Sequence, residues 1–302
     1  MSDLLESQLP NTPTVTIGVC VRNCEKLVGD AIESIASQDF PHLLMQIIFV
    51  DDGSTDGTLT VIQNYIQKLD IITEVVHQRW KGLGAARNVV VDNADGKYII
   101  WVDGDMLLSR QFVGKQVQFM EDNPEVAVAK GSYGMYKTNL VGILENMEFM
   151  TANSRRMRSV DLAPLGTGGS IYRVDAIREI GGFDRSIKGS GEDADAERRI
   201  RAKKWLLDTT PAVFYERRRK SWRSLWDEYY WHGKGGSQAL RKNVWLANPY
   251  KLFPPFALVV ESMRVVIGYK LVRKKIVLLL PIHYVFKRTA WLLGFMRNLV
   301  SH

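Results

Sequence analysis

The sequence is poor in cysteine, with only Cys20 and Cys24 in 302 residues. Two thiols spaced C-x3-C make neither a disulfide framework nor a four-ligand zinc site, so a reducing compartment is the simpler reading. Long charge-free apolar runs are also lacking in the apolar C-terminal tail. The longest there, Ile276 to Phe286, has eleven residues, against the roughly 18 to 20 needed to span a bilayer. A basic n-region is missing as well: the opening MSDLLESQLPNTP carries an acid there and no apolar core. That argues against a secretory signal and predicts a protein made and kept in the cytosol. There is no internal repeat and no low-complexity tract. With 46% apolar and 24% charged residues, the composition is that of a globular protein, which excludes disorder as a description of the whole.

The formal net charge of +7 points toward polyanions until its distribution is read. Nine basic residues and one acid, Glu261, lie from Lys251 to His302, leaving 31 basic against 32 acidic residues before them. The basicity belongs to the C-terminal sixth of the chain. A core this near to neutrality is a poor candidate for nucleic-acid binding, which calls for a basic stripe.

At about 150 residues per domain, the length suits one large α/β domain with an appendage. After a polar leader (1–13), short β-rich runs alternate with stretches of helical period, the pattern of a parallel sheet with crossover helices. Strands are predicted at Val15–Val21, Gln46–Val50, Ile71–Val76 and Tyr98–Val102, with helices over Asp30–Ala36, Leu59–Leu69 and Ala85–Asn93. Further on come a helix to about Glu121, a strand at Val126–Lys130, a helical stretch from Leu140 to Arg158 and a loop at Gly166–Ser170. Glu192–Lys204 reads as a helix opened by acids and closed by bases, as the macrodipole favours. Past Pro211 follow a basic run, Arg217–Lys220, an aromatic helix, Trp222–His232, and a break at Pro254-Pro255. Two apolar, basic helical segments close the chain, at about Phe256–Lys274 and Ile276–Leu299.

Four short constellations carry chemistry. Asp51-Asp52-Gly53-Ser54-Thr55-Asp56-Gly57-Thr58 follows an apolar strand; acids there can take hydrogen bonds from a base or ribose, or simply cap the next helix. Asp103-Gly104-Asp105 also ends a strand, and two carboxylates flanking a glycine suit a hard divalent cation shared with phosphate oxygens. Lys81-Gly82-Leu83-Gly84-Ala85-Ala86-Arg87-Asn88 is a glycine loop entering a helix, fit for an anion or for a plain junction with Arg87 solvated. Gly191-Glu192-Asp193-Ala194-Asp195 puts three acids in four residues, more than capping needs, so one is a candidate general base. Both acidic strand ends lie where doubly wound sheets bind their ligands.

Together with Gly166-Thr167-Gly168-Gly169-Ser170 and Gly181-Gly182-Phe183-Asp184, these pieces stand in the order found in family 2 glycosyltransferases of the GT-A fold. The resemblance covers about Thr14 to Trp205. It implies a mixed, mainly parallel, Rossmann-like sheet with flanking helices, and inverting transfer of a sugar from a nucleotide-sugar to an acceptor. It further implies that Asp51 and Asp52 hold base and ribose, that Arg87 assists the nucleotide or diphosphate, and that Asp103 and Asp105 hold Mg2+ or Mn2+. Asp193 is then the base, with Glu192 orienting it or the acceptor, and Gly168, Gly169 and Asp195 belong to the acceptor side. A positioned carboxylate taking the acceptor proton contributes roughly 10²- to 10⁴-fold.

Two departures from the pattern matter. The first loop is Cys20-Val21-Arg22-Asn23, without the proline and tyrosine of many relatives, and the glutamine- and tryptophan-containing motif of processive synthases is not evident. In its place stands Tyr229-Tyr230-Trp231-His232-Gly233-Lys234-Gly235, which looks like the segment of non-processive relatives. There Lys234 and His232 would reach the diphosphate or metal, although His232 also reads as an ordinary helix-end residue beside a C-cap glycine. Arg217 to Lys220 are either a solvated face or a site for an acidic acceptor or headgroup.

The expected organisation is a GT-A domain at 14–215, a segment at 216–250 that closes the site, and a basic apolar tail at 251–302. Amphipathic helices with Tyr284, Phe286 and Trp291 and hardly any acid fit the interface of an anionic membrane, at about 1 kcal/mol per basic residue. The alternative for the tail is a helical pair packed on the catalytic core or on a second subunit. The enzyme is therefore expected at the cytoplasmic face of the cell membrane, acting on a lipid-linked or polysaccharide acceptor, with self-association through the tail as a further expectation. The competing reading is a nucleotide-sugar-binding subunit without turnover of its own.

Overall fold

The computed structural model describes residues 12–136, 138–156, 164–187, 190–218, 221–241 and 273–300, with a few single positions between 255 and 270. Most of the leader, Arg219, Lys220, Pro254 and most of the segment expected at Phe256–Lys274 lie outside the described residues. In chain order the first half holds β1 (Val15–Val21), α1 (Val28–Ala36), β2 (Met45–Asp52), α2 (Thr58–Ile66), β3 (Ile72–Gln78), α3 (Leu83–Asn93) and β4 (Tyr98–Trp101). Next come β5 (Met106–Leu108), α4 (Phe112–Asp122), β6 (Val126–Tyr133), α5 (Leu140–Arg156), β7 (Ser170–Arg173), α6 (Val174–Glu179), α7 (Glu192–Ala202) and β8 (Leu206–Glu216). The chain then forms α8 (Trp222–Arg241) and, after a 3-10 segment at Lys275–Leu279, α9 (Leu280–Val300).

All eight strands join one sheet in the order β3-β2-β1-β4-β7-β6-β8-β5. β1 is parallel to β2 and β4, β2 to β3, and β6 to β8, while β7 is antiparallel to β4 and β6 and β5 to β8. β2 and β4 are buried along their whole length, which is why they read as unbroken apolar runs rather than alternating ones. One core, with Ile17, Phe49 and Phe112, fills one side of the sheet; the other, with Val90, Trp101, Tyr172 and Phe183, fills the opposite side. Since β1, β2 and β4 run the same way, their carboxyl ends open on one edge, and the acidic turns lie there.

β5, β7 and β8 carry no clear signal in the sequence. β8 is disguised by Pro211: Thr209 faces Lys130 and Val213 faces Ser132, so Pro211 falls where the register shifts, a position that tolerates a residue without an N–H. α8 runs past His232 to Arg241, so Gly233 is not a cap. A Cβ on Gly233 would lie 2.0 Å from the Trp291 carbonyl oxygen, and one on Gly294 2.0 Å from that of Tyr230. The two helices therefore meet backbone to backbone, and the glycine run is a contact surface.

The tail needs one correction. Lys287, counted among the bases for lipid, is fully buried, its Nζ bonded to Glu145 and 2.8 Å from Glu148 Oε2 on α5, and His283 is buried in the same cluster. A buried ammonium persists only where carboxylates compensate it, and α5 supplies two. The opposite face of α9 stays apolar and open, with Ile282 66%, Met296 52% and Leu293 48% exposed. Lys275–Val300 is long and apolar enough to cross a membrane, by length and composition alone.

Candidate active site

A cavity of ≈ 740 Å³ opens at the carboxyl edge of the sheet, and Arg87, Asp103, Asp105, Gly168, Glu192, Asp193 and His232 all line it. Residues far apart in sequence are thus gathered from α3, the β4–β5 turn, the loop before β7, α7 and α8. A smaller hollow of ≈ 270 Å³, lined by Arg22, Asp52 and Trp80, shares Cys20, Leu83 and Trp231 with it. Arg22 lies over the Trp80 ring, 5.2 Å from its centroid.

The two strand-end acids of β2 are both heavily engaged. Asp52 accepts from Gln78 Nε2 at 2.8 Å and from the backbone N–H groups of Lys81 and Gly82 at 2.8 and 2.9 Å. It fastens the glycine loop to β2 while still lining the hollow. Asp51 is fully buried and accepts from Ser54 and from His77 Nδ1, the latter at 2.9 Å. It lines neither cavity, so it shapes the turn from one layer further in.

Arg87 is buried rather than solvated. Its guanidinium bonds Glu192 and lies 5.6 Å from the Phe183 ring centroid and 5.9 Å from that of Trp101. The pair ties α3 to the first turn of α7. Burial pushes the Glu192 carboxyl up to about 7, with Asp193 adding to the rise against the pull of Arg87.

Asp193 faces the cavity beside the loop that precedes β7. Glu197, one turn on, receives the N–H groups of Leu165 and Gly166, each at 2.7 Å, and so clamps that loop to α7. Burial, then the charge of Asp193, raise Glu197 to about 7. Lys130 holds the other side of the loop through the carbonyls of Gly168 and Gly166. A Cβ at position 168 would stand 2.5 Å from Asp103 Oδ2, so a larger residue there would push that carboxylate aside.

A divalent cation fits this donor set. Asp103 and Asp105 offer hard oxygen ligands to one cavity, and among the described residues no side chain donates to the Asp103 carboxylate. His232 faces the same space, with Nε2 3.9 Å from Glu228 Oε1. Burial pushes the Cys20 thiol up to about 12, so it offers no thiolate to metal or substrate. Glu145, Glu148 and His283 also come together, but there the Lys287 ammonium already supplies the cation.

Besides Asp51, three expected site residues stand outside both cavities. Asp195 pairs with Arg198 and Arg199 at 3.1 and 2.7 Å and lines a separate groove with Gly181 and Asp184. The ion pairs engage both of its carboxylate oxygens. Lys234 lies over the Tyr230 ring, 5.1 Å from its centroid, and does not line the cavity. Gly169 is taken into the sheet, its carbonyl accepting from Gly131 N–H at 2.9 Å and Gln116 Nε2 at 3.0 Å. Conversely, Tyr133, Phe149, Glu216, Arg218 and Tyr229 line the cavity. Arg218 and Tyr229 fall in the basic run and the aromatic segment noted in the sequence, whereas Tyr133, Phe149 and Glu216 carried no signal there.

Residues 16–181 match the family model Glycosyl transferase family 2. The chain is 30% identical to the glycosyltransferase EpsE of Bacillus subtilis (strain 168) over 184 residues, 58% of this chain and 62% of that protein. It is 31% identical over 101 residues to the poly(ribitol-phosphate) beta-N-acetylglucosaminyltransferase TarS of Staphylococcus aureus (strain MW2), 33% of this chain and 18% of that protein. The chain thus spans less than two thirds of these relatives. Among solved structures it superposes on the mannosyltransferase PcManGT of Pyrobaculum calidifontis, in complex with GDP-Man and Mn2+, with a TM-score of 0.68 at 17% identity, covering 96% of this chain and 88% of that one. With S. aureus TarS 1-349 bound to UDP-GlcNAc the TM-score is 0.53 at 17% identity, covering 96% and 92%. The architecture is the mixed α/β sheet of GT-A enzymes, and with more than half of its length inside the family model, this chain belongs to glycosyl transferase family 2.

Proposed function

We propose that the chain transfers a sugar, with inversion at the anomeric carbon, from a nucleotide-sugar to a lipid-linked acceptor at the cytoplasmic face of a membrane, with Mg2+ or Mn2+ held by Asp103 and Asp105. The observation that carries this reading is the single cavity that unites those two acids with Arg87, Glu192 and Asp193. The GDP-Man and Mn2+ of PcManGT and the UDP-GlcNAc of TarS support a donor of that class.

In this reading the hollow of Arg22, Asp52 and Trp80 receives the nucleobase, with the indole as a stacking face. What a divalent cation contributes when bound is positive charge against the diphosphate that leaves. Asp193 takes the proton of the attacking acceptor hydroxyl; for an acceptor that is already ionised it positions the nucleophile instead. Glu192 holds α7 in register by way of Arg87, and Glu197 holds the loop that faces the sugar. His232 adds a ligand or a donor from α8. The open apolar face of α9 and the basic residues flanking it suit a bilayer interface, which would bring a lipid-borne acceptor to the cavity mouth.

The test is nucleotide release from a panel of nucleotide-sugars with Mn2+, repeated after chelation and with Asp193→Asn. We expect turnover with at least one donor, its loss on chelation, and a fall of roughly 10²- to 10⁴-fold in transfer to a hydroxyl acceptor for the variant. No release from any donor, or full activity of Asp193→Asn, would sink the reading.

A further inference from the structure

Arg218 is a cation that the transfer reading leaves without a task. β8 pairs with β5 so that Glu216 stands opposite Met106, and the Arg217 N–H donates to the Asp105 carbonyl at 2.9 Å. Arg218 therefore emerges next to the acidic turn and lines the cavity. Its side chain is only 11% exposed. The guanidinium carbon lies 3.9 Å from the Phe149 ring centroid and 5.3 Å from that of Tyr133. Nη1 bonds the Glu216 carboxylate, while Nε and Nη2 are buried without a hydrogen-bond partner among the described residues.

Two unused donors on a buried charged group are costly, and natural interiors rarely leave them so. Arg218 lines the cavity, so that cavity is the open space nearest to them. Two parallel N–H groups on a planar cation match two oxygens of a phosphate, and the aromatic faces keep the fork from turning away. Lys130, whose Nζ is 5.4 Å from the same Tyr133 ring centroid, adds positive charge beside the fork and offsets Glu216. Behind this wall Lys287 lies over the Tyr229 ring at 4.2 Å and 5.4 Å from the Phe149 centroid, fixed by Glu145 and Glu148. The wall is thus built from β6, β8, α5 and α8, whereas the hollow suited to the nucleobase is lined from β1 and the turn that follows it, β2, the loop into α3 and the start of α3, apart from Trp231 of α8.

We infer that Arg218 is an anchor for an anion on the acceptor, and that the acceptor carries a phosphate group next to the position that receives the sugar. This rests on the transfer reading above and specifies its substrate. The phosphate belongs either to a lipid headgroup or to a soluble phosphorylated molecule.

The experiment uses the full chain saturated with a nucleoside diphosphate and Mn2+, so that the donor side is filled, and titrates in citronellyl phosphate, inorganic phosphate and, as the uncharged control, citronellol. We expect both phosphates to bind, citronellol not to bind, and Arg218→Gln to weaken the phosphates roughly tenfold or more, with nucleoside diphosphate affinity unchanged. Citronellyl phosphate binding tenfold tighter than inorganic phosphate identifies the lipid source; equal affinities identify the soluble one. In the wild-type protein, phenylglyoxal labelling of Arg218, followed by mass spectrometry, should be suppressed by citronellyl phosphate, a readout that survives if the variant does not fold. Unchanged phosphate affinity in the variant, equal losses of phosphate and nucleoside diphosphate affinity, or labelling indifferent to phosphate would each overturn the anchor. Failure of the nucleoside diphosphate to bind at all would instead strike at the transfer reading.

Discussion

Among the carboxylates at this edge of the sheet, neighbours decide the role. Asp51 and Asp52 are each held by several hydrogen-bond donors and act on loop geometry, Asp52 also lining the smaller hollow, whereas Asp103 and Asp193 face the cavity, and Glu192 and Glu197 are buried struts. The struts make stability depend on pH. Burial raises Glu192 and Glu197 from 4.5 to about 7 in the folded protein, so between those values the folded state binds more protons than the unfolded one. Stability then falls as pH rises, by at most about 1.4 kcal/mol per pH unit for each group, and levels off above the folded value. We expect urea unfolding to give lower stability at pH 8 than at pH 5, and Glu197→Gln to remove part of that difference. A variant with an unaltered pH slope would show that Glu197 ionises freely in the fold.

Single elements explain both what the sequence disclosed and what it hid. β1 was predicted to the residue, and β2 and β4 nearly so, because a strand buried on both faces has to be apolar throughout. The acids, in turn, lie at the strand ends, where the backbone leaves the core. β8 was hidden since one proline in a register shift reads locally as a break, and the end of α8 because Gly233 is indistinguishable from a cap until Gly294 is seen against it. Asp195 looked like part of the acidic site because its partners, Arg198 and Arg199, are a helical turn away and sequence alone does not say which face they take. Nor could the meeting of Lys287 with Glu145 and Glu148 be read, since it joins elements far apart in the chain. The buried pairing has a measurable weight: Lys287→Met leaves two carboxylates without their cation and should cost about 3–5 kcal/mol in denaturant unfolding. Adding Glu145→Gln and Glu148→Gln should recover part of that loss, and no loss in the single variant would mean that the cluster is dispensable.

For the molecule as a whole, charge and apolar surface are divided rather than mixed. The region before Lys251 is nearly neutral, with 31 basic and 32 acidic residues, while the open face of α9 carries Ile282, Leu293 and Met296. Attraction through screened charge falls with ionic strength, whereas apolar insertion does not. We therefore expect sedimentation with anionic vesicles to exceed that with zwitterionic ones, to drop by severalfold as salt is raised, and to keep a salt-resistant part. Ile282→Ser with Leu293→Ser should abolish the salt-resistant part. Equal sedimentation of that variant would assign this face to another protein surface instead of lipid.

The packing of α9 on α8 and α5 also sets an order of events during synthesis. The hollow of Arg22, Asp52 and Trp80 has all of its lining except Trp231 once the first half of the sheet has folded, and the acids of α7 follow. The aromatic wall around Arg218 is braced only after Lys287 has been translated and has found Glu145 and Glu148. Under the proposed function the acceptor wall is therefore the last part of the site to be completed, and its bracing waits for one helix.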